Sequence, residues 1–403
     1  MNHRERMLAT IAGAPSDALP WAPRMDLWLI AQQARGSLPP ALRNADTVDI
    51  AKHFGFACHA VRGDFTAPRD PRDWMLRGFG IENHPDFPYR VDVSSLPVEF
   101  SSDGARYRTT IHTPAGDATA ILEMTDAMRR DGMSIPFVKK RPIESPADFE
   151  AVAQVFEHLE VVRTPASYAA FHARIGEHGL AVAQGPIAAA PVHFVLHDLM
   201  NMEAFFYLYM DDAAAIHRFA DRLRPFFDAA LDALLGCEAE LVWWGANYDQ
   251  QVTWPAFFRD EIAPWLRTIG DRVRAGGKRL ATHADGENHQ LLPLFPGCRL
   301  DVAESVCTEP MTSDSLADLR AGMGDRTTIW GGIPSVALLH DSMTDAQFEA
   351  HLDKVFEALG SGERLILGVS DNVPPDVDLD RLNRITRRVE AFGPVVPSGS
   401  QPA

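Results

Sequence analysis

The segment Thr282-His283-Ala284-Asp285-Gly286 sets an imidazole and a carboxylate two residues apart. Where a strand leaves a sheet, positions i and i+2 point the same way, so His283 and Asp285 can converge on one substrate group or one metal ion. Imidazole with carboxylate suits zinc, manganese or iron. The same pair could instead orient a loop or exchange protons with a substrate without metal. A third ligand would have to come from another strand end, and Asp371 or Glu304 could supply it. Arg24 and Arg62 could grip a substrate carboxylate through paired hydrogen bonds, with Asp26 as general acid or as support for Arg24. The competing reading of each arginine is a surface ion pair, which is worth little. Asn247-Tyr248-Asp249-Gln250 could hold substrate by hydrogen bonds, with Tyr248 among the reacting groups, or could cap the helix that follows. Cys307 has no histidine near it in sequence to activate it as a nucleophile, and His193 and His197, four apart, read as packed rather than ligating. Met200, Met202 and Met210 with Phe205 and Phe206 read first as core.

What must position these groups is a set of eight short apolar segments: Leu19–Arg24, Phe56–Val61, Leu180–Gln184, Leu241–Gly245, Arg279–His283, Arg299–Ala303, Thr327–Gly331 and Arg364–Val369. They lack polar alternation, which suits parallel strands buried on both faces. Helical stretches separate most of them. Ser145-Pro146-Ala147-Asp148 and Thr344-Asp345-Ala346-Gln347 are helix starts. Phe258, Ile262, Trp265, Ile269 and Val273 share one helical face, and Gly276-Gly277 ends that helix. Met210 to Leu235 is a further helix.

Repeated β–α order implies a parallel sheet. Eight units imply a closed (β/α)8 TIM barrel, with a doubly wound open sheet as the competing architecture. Barrel active sites sit at the C-terminal strand ends, which is where Arg24, Asp26, Arg62, Gln184, Asn247, Asp249, Gln250, His283, Asp285, Glu304 and Asp371 fall. Residues 63–142 break the rhythm, with a β-hairpin expected from Tyr107–His112 and Ala118–Glu123 across Pro114-Ala115-Gly116-Asp117. The expected organisation is one barrel domain over residues 1–393, an insertion at 63–142 after the second strand, and a flexible tail at 394–403.

A formal net charge of −17 argues against nucleic acid as the main partner. Four scattered cysteines without a C-x-x-C pair point to a reducing compartment. No signal-peptide pattern opens the chain and no apolar run approaches a membrane span, so a cytoplasmic protein acting on a small molecule is expected.

These residues resemble the uroporphyrinogen decarboxylase superfamily. Arg4-Glu5-Arg6-Met7-Leu8-Ala9 followed by Gly13, Asp17 and Pro20 is similar to its opening. Trp254-Pro255-Ala256-Phe257-Phe258 through Glu261 and Pro264 looks like its helix before the fifth strand. His283-Ala284-Asp285-Gly286 with Leu291, Leu292 and Pro293, then Trp330-Gly331-Gly332-Ile333, then Gly368 through Pro374-Pro375, complete the likeness in order. It implies a (β/α)8 barrel, a homodimer and one of two chemistries. The decarboxylases work without cofactor through a Met-Arg-Gln-Ala-Gly-Arg motif and an aspartate. Here the matching stretch is Pro23-Arg24-Met25-Asp26-Leu27-Trp28, which lacks the Gln-Ala-Gly-Arg part. The other branch moves methyl groups from a corrinoid, or a corrinoid protein, to an acceptor on zinc held by His-x-Cys and a later Cys. His283 matches that histidine, Asp285 stands for the first cysteine, and Asp371 is nearest the second. The resemblance therefore implies metal-assisted methyl transfer on zinc or a harder ion bound by His283, Asp285 and Asp371. Cofactor-free decarboxylation is the alternative, and a non-catalytic barrel subunit is the third reading.

Overall fold

Seven of the eight apolar segments become strands of one curled parallel sheet in the computed structural model, which describes residues 1–61 and 70–397. In spatial order they are Cys58–Ala60, Gly179–Gln184, Leu241–Trp243, Arg279–His283, Val302–Val306, Thr328–Ile333 and Leu365–Val369, so sheet order follows chain order. Apart from half-buried Arg279, every residue in these strands is buried. Burial on both faces is why the segments carry no polar alternation.

The first segment, expected as a strand over Leu19–Arg24, makes one isolated parallel bridge at Trp21 to Leu367. Pro20 and Pro23 have no N–H to extend a ladder. What remains is well bonded. Ala22 N donates to Leu367 O at 2.9 Å, Leu367 N to Pro20 O at 2.9 Å, and Ala57 N to Trp21 O at 2.8 Å. The segment thus bonds to the last strand on one side and to the chain just before Cys58–Ala60 on the other. The expected strand at Arg299–Ala303 begins only at Val302, because Arg299 takes a left-handed conformation, φ +56°, at the end of the preceding 3-10 helix.

The Val302–Val306 strand carries a bulge between Glu304 and Val306, centred on Ser305 at φ +63°. The extra residue lets Glu304 and Val306 pair with consecutive residues Trp330 and Gly331 of the neighbouring strand. Gly331 has φ +152°, and a Cβ there would lie 2.6 Å from Val306 O and 2.8 Å from Val306 N.

Helix starts follow the sequence signals. Thr344 and Gln347 form a reciprocal cap on Asp345–Ala358, and Ser145 caps the turn that leads into Phe149–Glu157. The helix through Phe258 contains one wide π turn, Phe258–Ile262, before continuing as Ala263–Ala275.

The chain divides into two compact units. The first comprises residues 1–61, 172–182 and 240–403, and the second residues 62–171 and 183–239. The second unit contains the hairpin Arg106–Thr113 and Gly116–Glu123 within a four-stranded antiparallel sheet. It also contains the Met202–Leu235 helix, interrupted at Asp212. Met200 and Phe205 are core there, but Met202 and Met210 are 47% and 78% exposed, contrary to the core expected from their type.

Gly331→Ala should destabilise the protein by about 2–3 kcal/mol, because a side chain at that φ must also displace the bulge backbone. Urea midpoints of the two proteins measure this, and an unchanged midpoint would show that the bulge gives way freely.

Candidate functional site

Glu304, on the bulged strand, is 1% exposed, and its carboxylate gathers three ring N–H groups. Oε1 lies 2.9 Å from His59 Nε2, and Oε2 lies 2.5 Å from His283 Nδ1. Trp243 Nε1 donates to Oε2 at 3.4 Å. The four side chains come from the strands Cys58–Ala60, Leu241–Trp243, Arg279–His283 and Val302–Val306. Burial alone would push the Glu304 carboxyl up. The His283 charge and the hydrogen bonds from His283 and His59 outweigh burial and hold it well below the carboxylate range. His283 shows the mirror image. Burial disfavours its cation, but Glu304 and Asp285 win and raise it well above the usual imidazole value. His283 and Glu304 are therefore an imidazolium–carboxylate pair, with the ring locked through Nδ1.

Nε2 of His283 faces the other way, 3.7 Å from Asp285 Oδ1 and 3.7 Å from Asp371 Oδ1. Both distances exceed a hydrogen bond, so the attraction is electrostatic. Asp285 Oδ1 is buried without a hydrogen-bond partner. Asp371 follows the last strand in a left-handed conformation, φ +60°, and its N–H donates to Ser305 Oγ at 2.6 Å. Ser370 Oγ donates to Val306 O at 2.8 Å. The bulge that aims Glu304 thus also anchors Asp371. Burial raises the Asp371 carboxyl, aided by Asp285 and Glu304 and opposed by His283 and Arg24.

Arg24 and Asp26 are both buried, with Arg24 Nε 3.5 Å from Asp26 Oδ2. Arg24 also donates to Val61 O at 3.3 Å. A guanidinium already turned toward Asp26 is a poorer clamp for an incoming carboxylate, but its charge acts on both Asp371 and His59.

Other expected site residues have structural work. Tyr248 is wholly buried against Phe258 and Phe295, its hydroxyl 2.8 Å from Thr282 Oγ1, and burial raises its phenol far above the usual value. Its hydroxyl contact with Thr282 ties it to the Arg279–His283 strand. Asp249 accepts from Gln251 N and Glu287 N, and Gln250 accepts from Gln290 N, so this segment ties two loops together. Asn247 is exposed and left-handed, φ +59°. Gln184, in the second unit, is buried and donates to Glu82 at 3.1 Å. Arg62 lies outside the described residues. Burial and Asp285 push the Cys307 thiol up to about 12, which leaves it unreactive as a nucleophile. His193, also buried, accepts from Ala189 N, and burial lowers it to about 3.

The donor set expected for a metal does not fit one here. Among the described residues, no group of three or more His, Cys, Asp or Glu side chains is arranged to hold an ion. Asp285 Oδ1 and Asp371 Oδ1 each lie 3.7 Å from His283 Nε2.

Reading only the residues after each strand missed His59 and Trp243, which lie within strands. Their signal was a polar or indole-bearing residue inside an otherwise apolar run (Cys58-His59-Ala60 and Leu241-Val242-Trp243).

No family model matches this chain, and no curated protein does. Among solved structures it is similar to a methyltransferase from Methanosarcina mazei, with 14% sequence identity, a TM-score of 0.58, and coverage of 97% of this chain and 99% of that one. At that identity the likeness shows the α/β fold.

Glu304→Gln should lower stability by about 3–5 kcal/mol, as expected when one partner of a buried ion pair is removed. Glu304, depressed when folded, contributes stability above its ordinary value of 4.5 and loses it as pH falls through the folded value. His283, raised when folded, contributes fully below its ordinary value of 6.5 and loses it as pH rises through the folded value. The deficit of the variant should therefore be largest between pH 4.5 and 6.5 and shrink on either side, read from urea unfolding across pH. A deficit independent of pH would contradict the charged pair.

Proposed function

We propose that the chain is a methyl-transfer enzyme acting on a small methylated molecule, built on a (β/α)8 barrel of the uroporphyrinogen decarboxylase type. The Pro20–Ala22 segment takes the eighth strand position. Its hydrogen bonds to Leu367 and Ala57 support that placement. The neighbour's name supports the reaction class.

The observation that carries the mechanism is His283, held by Glu304 at Nδ1 with Nε2 free to face Asp285 and Asp371. Methyl transfer from Y–CH3 to an acceptor X–H needs a base for the acceptor and an acid for the leaving group. Asp371, whose carboxyl burial raises above the ordinary aspartate value, takes the acceptor's proton. X then attacks the methyl carbon as the bond to Y breaks, and Y receives the proton from His283 Nε2. This leaves Asp371 protonated and His283 neutral, and exchange with solvent, in which Asp371 loses its proton and His283 regains one, restores the starting state. Groups whose environments push their pKa values apart are how one site supplies both acid and base. Asp285 adds negative charge that keeps His283 protonated. No helix is long and apolar enough to cross a membrane among the described residues.

A panel of O-, N- and S-methyl compounds with deuterated methyl groups, assayed by mass spectrometry with thiol and amine acceptors, tests the reading. His283→Gln and Asp371→Asn should each cost about 10²–10⁴-fold in rate, the range for a lost acid or base. Full activity in either variant would remove it from the mechanism. Asp285→Ala should lower activity far more than melting temperature, because a carboxylate at a strand end supports little packing. Parallel losses would mark it as structural.

A further inference from the structure

The Glu304 carboxylate serves two imidazoles, one on each oxygen, and only one of them faces Asp285 and Asp371. His59 is the other. It is 5% exposed and sits on the Cys58–Ala60 strand with its ring centroid 4.4 Å from that of Trp330. Its Nε2 is 2.9 Å from Glu304 Oε1, while the bonds of His283 and Trp243 both fall on Oε2. His59 therefore fixes the rotation of the carboxylate about its own bond. Released from His59, Oε1 would be a buried charged acceptor without a donor, a costly arrangement. The carboxylate would then turn to share its charge, and His283 would turn with it.

The protonation of His59 follows from the same geometry. An ionised carboxylate requires Nε2 to carry the hydrogen. Burial keeps the ring neutral, so Nδ1 is a bare lone pair, and that atom is buried with no hydrogen-bond partner. A second imidazolium on the same carboxylate would compete with His283 for its charge. A neutral donor orients Glu304 without doing so.

We propose that His59 is a positioning residue, which holds Glu304 in register with His283 and so sets the direction in which His283 Nε2 points. This rests on the reading of His283 as the reacting group, but its test reads no turnover and so fails or succeeds separately from the methyl-transfer reading. Protein labelled with 15N in histidine should show His59 as the Nε2–H tautomer, with an unprotonated Nδ1. It should also show a low-field N–H proton from His283 Nδ1. His59→Phe removes the donor and should shift the His283 Nδ1–H resonance. His59→Gln, whose amide reaches Oε1, should restore it to the position in the parent protein. His59→Asn, too short to reach, should behave as His59→Phe does and stands in for it if the phenylalanine variant does not fold. A His283 resonance unmoved in His59→Phe or His59→Asn overturns the proposal. So does a parent protein in which Nδ1 of His59 carries the hydrogen.

Discussion

The arrangement depends on one buried carboxylate. An ionised side chain moved out of water costs several kcal/mol unless its charge is matched and its lone pairs are used. Glu304 meets both conditions with three ring N–H groups and one full positive charge. The match constrains its neighbours in turn. Three of the surrounding strands must each deliver one nitrogen to within hydrogen-bond reach of two oxygen atoms. A slip of any of these strands would leave the buried carboxylate without donors, which is costly, so the cluster favours one register of the sheet over its slipped alternatives.

Backbone strain gathers at the same place. Ser305 and Asp371 are both left-handed non-glycine residues, and they are joined by the bond from Asp371 N to Ser305 Oγ. Such conformations persist where the surrounding structure over-determines them. The bulge at Ser305 turns Glu304 toward the histidines and anchors the chain after the last strand, so the carboxylate on one side of His283 and one of those on the other are set by a single irregularity. Gly331 permits that irregularity by leaving no side chain against Val306.

Much of this was legible in the sequence. Continuous apolar runs marked seven strands, and the i, i+2 rule placed His283 and Asp285 on one side, where the structure has them 3.7 Å apart. Asp371 and Glu304 were legible as strand-end groups that could join them. Their division of labour was not, because it depends on which ring nitrogen each carboxylate meets. His59 escaped because interior strand positions were read as core, and an inward polar residue shows itself only through a partner 245 residues away. The limits of Leu19–Arg24 were misread because its apolar composition hid the two prolines that stop a ladder. Tyr248 and Gln250 are polar groups beside a strand, and the contacts they make, to Thr282 and to Gln290, depend on partners 34 and 40 residues away.

The seven-stranded parallel sheet and the similarity to a methanogen methyltransferase give the fold a setting, but the chemistry stands or falls on the charge state of His283. Neutron diffraction from deuterated crystals at neutral pH reads it directly. The account requires deuterium on both ring nitrogens of His283 and none on Glu304. A single deuterium on that ring, or a deuterated Glu304 carboxyl, would contradict it.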